Sequence, residues 1–176
     1  QTQELLREEL RLLVMSATME AEPVAKLLGE APIIRSEGRM FPVETLYRPA
    51  RRYGVPIGEA LVPVVEEALA DQPGDVLVFL PGMAEIRDAE RKLKARFAAE
   101  AGRANIRIYA LHGSLPGDEQ DRALAPSASG ERKVVLATSV AETSLTVEGV
   151  TAVIDSGLAR ISRFSPRTGM SRLETV

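Results

Sequence analysis

Strand patterns and helix patterns alternate along the chain, and this alternation is the strongest constraint on its fold. Short β-branched runs read RLLVMS, DVLVFL, NIRIYAL, RKVVLAT and TAVIDSG, with helical patterns between most of them. Parallel strands need long crossover connections, which helices usually supply. The sequence therefore predicts an α/β fold with a mostly parallel sheet and helices on both faces.

The clearest helix pattern covers residues 82–100, where Ile86, Ala89, Leu93 and Phe97 recur on one face. A second pattern covers 58–70, with Pro63 marking its first turn or a kink. Its apolar register is formed by Leu61, Val64, Val65, Ala68 and Leu69. A third helix is predicted over 22–28, ending at Gly29.

Helical periodicity is lost over 35–58, where glycine and proline cluster. We predict a domain boundary near Ser36–Pro42. Residues 1–36 are too few for an independent domain and are expected to be the end of a truncated one, whereas 37–176 form the second domain. Beyond residue 156, two short runs flank SPRTG, a turn signature that predicts a C-terminal β-hairpin.

The composition excludes several classes of function. The 176 residues contain no cysteine, which removes disulfides and thiol catalysis, and one histidine, His112, which makes a histidine-rich zinc site a poor expectation. The formal charge of −3 means that nucleic acid would have to contact a local basic patch. No apolar stretch approaches the roughly 18 residues that a bilayer span needs. We predict a soluble, cytoplasmic protein without a membrane partner.

A local basic patch lies in the predicted hairpin. It consists of Arg160, Arg163, Arg167 and Arg172, and no acidic residue occurs between Asp155 and Glu174. A solvated surface is the competing interpretation of this patch. A second feature is the run ATSVAETSLTVEGV at 137–150, which places many hydroxyls between two predicted strands. Ligands of parallel sheets gather at the carboxyl ends of strands. The segments SAT, PGMAE and HGSLPGDEQ also follow predicted strands, so we expect all four segments to gather there.

Each segment is weak evidence alone, but their order and spacing resemble those of superfamily 2 helicases of the DEAH-box class. MSATM at 15–19 resembles helicase motif III, LVFLPGMAEI at 77–86 resembles motif IV, and LHGSLPGDEQ at 111–120 resembles the segment that follows. The run at 137–157 resembles motif V, and RFSPRTGMSRL resembles the β-hairpin inserted after it. The resemblance covers essentially the whole chain and is closest to the HrpB-type helicases.

This resemblance implies the end of a first RecA-like domain at 1–36 and most of a second at 37–176. It implies that Ser16 and Thr18 couple nucleotide state to lobe movement. The positions implied to contact the nucleic-acid backbone are Gly82, Ser114, Thr138 and Ser139, with Arg163 and Arg167 of the hairpin. The positions implied to face ATP are Leu124, Ser144, Thr146 and Glu148.

Three residues depart from the family's pattern. Ser139 stands where asparagine is usual, which removes a side-chain amide. Glu148 stands where many relatives have aspartate. Leu124 stands where many eukaryotic members place an aromatic against adenine, so base discrimination by stacking is expected to be weak.

Motifs for catalysis are absent from the sequence: it has no G-x-x-x-x-G-K-[ST] loop, no D-E-x-H motif and no arginine-rich motif VI. We expect ATP as ligand and Mg²⁺ bound by residues outside this chain, with no metal ligand inside it. The predicted function is part of an ATP-dependent helicase acting on single-stranded RNA, with DNA as the other option. The alternatives are a non-catalytic RecA-like module that binds nucleic acid or protein, and a generic phosphate-binding α/β domain.

Overall fold

The structure is a computed structural model that describes residues 11–15, 20–36, 41–48, 54–99, 105–138, 147–167 and 169–176. Its helices are α1 (Ala21–Leu27), α2 (Ile57–Asp71), α3 (Met83–Ala98) and α4 (Gly117–Leu124). Its strands are β1 (Asp75–Phe79), β2 (Ile106–Leu111), β3 (Arg132–Ala137), β4 (Val150–Asp155), β5 (Arg160–Ser165) and β6 (Met170–Thr175).

Strands β1 to β4 form a parallel sheet in the order β2-β3-β1-β4. The two interior strands, β3 and β1, are the most completely buried, as expected for strands covered on both faces. The carboxyl ends of β1, β2 and β3 are level with one another, because Phe79 and Leu111 both pair with Ala137. The predicted mostly parallel sheet is confirmed.

Alternate residues of the interior strands point into two separate cores, because side chains alternate across a strand. Val76, Val78, Val134 and Leu136 pack in one core with apolar residues of α2 and α3. Leu77 and Val135 pack in the other with Ala123 of α4. Helices therefore cover both faces of the sheet, which confirms the second part of the predicted architecture.

The helix predictions are confirmed for α1, α2 and α3. All four predicted inward positions of α3 are buried, and Gly29 follows α1 with a φ of 75°. Helices α2 and α3 approach closely at Gly58, where an added Cβ would lie 2.9 Å from the backbone nitrogen of Ala89. Pro63 lies inside α2 instead of in its first turn, and its exposed ring faces away from the core.

The run RLLVMS is a wrong strand prediction over the residues that the structure describes. Residues 11–15 form neither helix nor strand, and Leu13 and Met15 are exposed. A strand needs hydrogen bonds from a neighbouring strand, and apolar composition alone cannot supply that neighbour. The run therefore resembles a buried strand only in composition.

The C-terminal hairpin is confirmed. Strands β5 and β6 pair antiparallel, with Arg160 opposite Thr175 and Ser165 opposite Met170. The turn closes through a 2.9 Å hydrogen bond from the Gly169 amide to the Ser165 carbonyl, and Gly169 takes a φ of 66°. Glycine suits this position because other L-residues rarely adopt positive φ.

The chain divides into two compact units, residues 1–47 and 48–176. This division falls later than the predicted boundary near Ser36–Pro42, and the assignment of 1–36 to a first domain stays a prediction. Within the first unit, Arg35 forms an ion pair with Glu22. In the described parts of both units, no helix is long and apolar enough to cross a bilayer.

Candidate functional site

The predicted contacts that the structure describes lie at two opposite edges of the parallel sheet. Gly82, Ser114 and Thr138 follow the carboxyl ends of β1, β2 and β3. Glu148 lies just before β4, whose first residue Val150 is level with Asp75 at the start of β1. A six-residue strand separates these edges by roughly 17 Å.

The expectation that all the strand-end segments gather at the carboxyl edge is therefore wrong for the end of the 137–150 run. This run begins at the carboxyl edge, but its last residues precede a parallel strand and must lie at the opposite edge. Leu124 lies there too, because it is the last residue of α4 and the neighbouring Ala123 and Ala125 carbonyls contact Lys133 near the start of β3.

At the carboxyl edge, Gly82 precedes the first turn of α3 and its carbonyl accepts the Ile86 amide at 3.0 Å. A Cβ at Gly82 would lie 3.0 Å from Nη1 of Arg160 and 3.1 Å from Oε2 of Glu85. Arg160 Nη2 donates to Glu85 Oε1 at 3.2 Å. The base of the hairpin is thereby joined to the loop that carries Gly82.

The carboxylate of Glu85 makes fewer hydrogen bonds in this arrangement than its two oxygens could accept. Its Oε2 atom is buried and has no hydrogen-bond partner among the described residues. Leu158, two residues before Arg160 in the sequence, packs against the larger core. Its amide donates to Ser156 Oγ at 3.3 Å. The hairpin therefore leaves the sheet from a fixed base.

Ser114 is held by the only histidine of the chain. Its amide donates to His112 Nδ1 at 3.1 Å, and its hydroxyl oxygen lies 2.8 Å from the same nitrogen. Because Nδ1 accepts the amide hydrogen, the neutral imidazole carries its proton on Nε2. His112 thus shapes the loop after β2 and leaves the Ser114 side chain exposed at the carboxyl edge.

A groove of about 580 Å³ opens beside Ser114, between α3 and α4. Its wall carries the basic Arg87, Lys94 and Arg122 together with the acidic Glu90 and Glu119. Thr138, by contrast, is only 7% exposed at the end of β3. Of the three predicted positions described at the carboxyl edge, Ser114 is exposed, whereas Gly82 and Thr138 are buried.

The amino edge is built around two buried charged residues that the sequence reasoning missed, Asp75 and Lys133. Lys133 is 2% exposed, and its Nζ donates to the Ala123 carbonyl at 3.0 Å and to the Ala125 carbonyl at 2.5 Å. Burial lowers the pKa of Lys133, and the carboxylates of Asp75 and Glu148 oppose that shift.

Asp75 is 4% exposed and connects three segments. Its Oδ1 accepts the Lys133 amide at 2.9 Å, and its Oδ2 accepts the Ser127 hydroxyl at 2.8 Å. Its own amide donates to the Gly149 carbonyl at 2.8 Å. A sequence signal for both residues existed, since DVLVFL and RKVVLA are buried runs that begin with charged residues.

Arg132 reinforces the same edge. Its guanidinium donates to the Leu69 carbonyl at 2.7 Å, to Gln72 at 2.6 Å and to Gly74 at 2.6 and 2.9 Å. These carbonyls belong to the end of α2 and the turn into β1, where helix carbonyls lack partners within the helix. Arg132 therefore fixes the start of β1 and, with it, Asp75.

The hairpin arginines divide into paired and unpaired groups. Arg163 lies 3.5 Å from Glu174 across the two strands, so part of the basic patch is neutralised. Arg167 and Arg172 are exposed and have no ion-pair partner within the described part of the chain. Their positive charge remains available to an anionic ligand.

Five predicted positions, Ser16, Thr18, Ser139, Ser144 and Thr146, lie outside the described residues. Their assignments stay predictions. Among the residues that are described, no group of three or more histidine, aspartate or glutamate side chains could hold a metal ion.

Comparisons with known proteins identify the family. Residues 59–170 match the helicase conserved C-terminal domain. The chain is 41% identical over 170 residues to the ATP-dependent RNA helicase HrpB of Escherichia coli K12, covering 97% of this chain and 20% of that protein. It is 35% identical over 170 residues to the pre-mRNA-splicing factor ATP-dependent RNA helicase DEAH10 of Arabidopsis thaliana, covering 95% of this chain and 23% of that protein.

Comparison with solved structures supports the same family. The crystal structure of the E. coli DExH-box NTPase HrpB matches with a TM-score of 0.79 over 99% of this chain and 21% of that one, at 41% identity. A crystal structure of the E. coli DEAH/RHA helicase HrpB matches with a TM-score of 0.84 over 99% of this chain and 22% of that one, also at 41% identity. The chain thus spans about a fifth of the length of these relatives. It has their RecA-like α/β fold and belongs to the helicase conserved C-terminal domain family.

Proposed function

We propose that this chain is part of an ATP-dependent RNA helicase, in which its carboxyl edge and hairpin contact single-stranded RNA while its amino edge faces ATP. The observation that carries this proposal is the sorting of the described positions. Those expected to contact nucleic acid lie at one edge of the sheet or in the hairpin, and those expected to contact nucleotide lie at the other. The names of the related helicases support the reaction and the RNA substrate.

The carboxyl edge suits a polyanionic strand without sequence preference. Gly82 is buried, and its missing side chain leaves room for Arg160, whereas Ser114 offers an exposed hydroxyl. Such a hydroxyl can hydrogen-bond phosphate and sugar without reading base edges. Arg167 and Arg172 add positive charge at the hairpin, which strengthens phosphate binding in a salt-dependent way.

The amino edge suits a nucleotide. Glu148 supplies a carboxylate that can accept hydrogen bonds from ribose hydroxyls, and Leu124 supplies an apolar side chain against which a base can pack. Leu124 is half-buried against the smaller core, so its position is constrained by packing. A leucine offers no aromatic stacking, so we expect weak selectivity among nucleobases.

The connection between β3 and β4 joins the two edges. Thr138 follows β3 at the carboxyl edge, and Val147 lies at the amino edge before β4. A displacement imposed by nucleotide at one end of this connection can therefore be passed to RNA at the other. Coupling of this kind requires that the two ligands prefer different arrangements of the same element.

ATP hydrolysis needs groups that this chain does not supply. The phosphate-binding loop is absent from the sequence, and no acidic cluster among the described residues fits a metal. We therefore assign the Mg²⁺ ligands and the phosphate-binding lysine to other residues of the full-length protein. A cytoplasmic location also stays a prediction.

The experiment that tests this proposal uses the full-length protein with Thr146→Ala and Glu148→Ala combined. The KM for ATP should rise or turnover should fall by roughly tenfold, because a hydrogen bond to a charged group contributes about 1.5–3 kcal/mol. The affinity for single-stranded RNA should stay within about twofold, since the carboxyl edge is unchanged. Wild-type values of both kinetic constants would refute the nucleotide assignment.

A parallel measurement on the wild-type protein separates the enzyme from the non-catalytic module. RNA-stimulated ATP hydrolysis with strand separation supports the helicase. Tight RNA binding without hydrolysis would favour the binding module. Equal affinity for DNA and RNA of the same sequence would remove RNA preference from the proposal.

A further inference from the structure

The unusual feature of the amino edge is a lysine that is buried at the start of an interior strand. Lys133 belongs to β3, which lies between β2 and β1, and only 2% of its side chain is exposed. Burying an ammonium group is unfavourable unless hydrogen bonds to protein replace those that it makes with water. Here two main-chain carbonyls do so, at 3.0 and 2.5 Å. The residue could be replaced by an apolar one if it served packing alone.

Those two carbonyls flank one candidate nucleotide contact. They belong to Ala123 and Ala125, on either side of Leu124 at the end of α4. Carbonyls of a last helical turn have no partner within the helix and often leave that turn loosely held. Lys133 donates a hydrogen bond to the carbonyl on each side of Leu124, so the backbone of Leu124 is tied to β3.

The partner of Lys133 fixes the second candidate contact. Asp75 accepts the Lys133 amide and donates its own amide to the Gly149 carbonyl at 2.8 Å. Gly149 has a φ of 86°, and a Cβ there would lie 2.9 Å from Asp75 Oδ2. Only glycine fits this approach without strain. Glu148, the preceding residue, is therefore held at a defined distance from Asp75.

We propose that Lys133 and Asp75 are positioning residues that hold Leu124 and Glu148 in register with each other for one nucleotide. This inference rests on the proposed function, because it assumes that these two side chains face ATP. The physical advantage is preorganisation: a site whose groups are already placed loses less conformational entropy on binding. The Ser127 hydroxyl completes the arrangement by orienting the Asp75 carboxylate at 2.8 Å.

The test uses the full-length protein with Lys133→Met. This substitution keeps a long, unbranched side chain and removes the charge and the hydrogen-bond donors. The KM for ATP should rise about five- to tenfold, while turnover at saturating ATP and RNA affinity stay within about twofold. Lys133→Arg, which retains donors for the two carbonyls, should recover part of the loss. Lys26→Met, at an exposed lysine of α1, is the control and should leave all three quantities unchanged.

A double-mutant cycle separates positioning from general destabilisation. Lys133→Met and Leu124→Ala together should raise KM less than the product of their separate effects, because the Lys133 side chain acts through the segment that carries Leu124. Multiplicative effects would refute the inference. So would an equal loss of ATP and RNA affinity in Lys133→Met, since a structural defect affects both edges.

If Lys133→Met does not fold, Ser127→Ala decides the matter. It should raise the KM for ATP about two- to threefold without changing RNA affinity, and an unchanged KM would overturn the inference. A wild-type protein that neither binds nor hydrolyses ATP would instead refute the proposed function. The two failures are therefore distinguishable.

Discussion

The two edges of the sheet are built in contrasting ways. At the carboxyl edge, Ser114 sits in a loop that exposes its hydroxyl, whereas Gly82 and Thr138 are buried. At the amino edge, Asp75, Lys133 and Arg132 use long-range hydrogen bonds to hold segments that are distant in sequence. Under the proposed function, the nucleic-acid side depends on one exposed loop and the hairpin, whereas the nucleotide side depends on a hydrogen-bonded frame.

The largest expected effect concerns ATP hydrolysis, which we do not expect either edge to perform alone. The isolated 176-residue chain should hydrolyse ATP no faster than buffer, with or without RNA, because it lacks the phosphate-binding loop. A phosphate-release assay on a preparation free of contaminating ATPase checks this. Measurable turnover would mean that an edge described here carries more of the chemistry than we infer.

The second effect concerns the nucleic-acid side. Arg163→Glu with Arg167→Glu in the full-length protein should flatten the log-log salt dependence of RNA binding by roughly 0.7 for each lost phosphate contact. Unwinding should fall, while ATP hydrolysis without RNA should change much less. Binding titrations at several salt concentrations measure the slope. If slope and unwinding both stay at wild-type values, the hairpin patch is a solvated surface.

A smaller effect is expected at the link between hairpin and carboxyl edge. Arg160→Ala removes the ion pair with Glu85, which is partly exposed and worth about 1 kcal/mol or less. The amount of RNA duplex unwound for each ATP hydrolysed should fall about two- to threefold, because the base of the hairpin is less firmly oriented. RNA affinity should be retained. The charge swap Arg160→Glu with Glu85→Arg should restore part of this coupling; no loss in Arg160→Ala would show that Leu158 alone fixes the base.

The smallest effect is a pH dependence at the amino edge. Burial lowers the pKa of Lys133, so above that lowered pKa the unfolded chain binds more protons than the folded one. The contribution of Lys133 to the free energy of unfolding should therefore rise with pH up to its unfolded pKa of about 10.4. Denaturant titrations of wild type and Lys133→Met across this window give the difference. A difference that falls with pH would contradict the burial of the charge.

Local patterns predicted the elements of the larger unit well. The apolar face of α3 and the turn at SPRTG depend on neighbours a few residues apart, so periodicity and turn chemistry suffice to find them. RLLVMS shows the limit of such patterns, because strand formation needs a partner that composition does not reveal. The charged residues that begin β1 and β3 were overlooked for a related reason. The partners of Asp75 lie 52 and 58 residues away, and those of the Lys133 ammonium, at 8 and 10 residues, follow no helix or strand period.

The order of apolar, turn and motif residues along the chain was enough to predict the alternation of strands and helices, the hairpin, and the motif order that implies nucleotide and nucleic-acid contacts. The tertiary structure decided which edge each contact occupies. Glu148 follows β3 in sequence yet lies at the opposite edge from Thr138, because a crossover to a parallel strand must return along the full length of the sheet. It also decided that Lys133 and Asp75 meet the segments bearing Leu124 and Glu148, since hydrogen bonds between segments brought together by folding leave no periodic trace in the sequence.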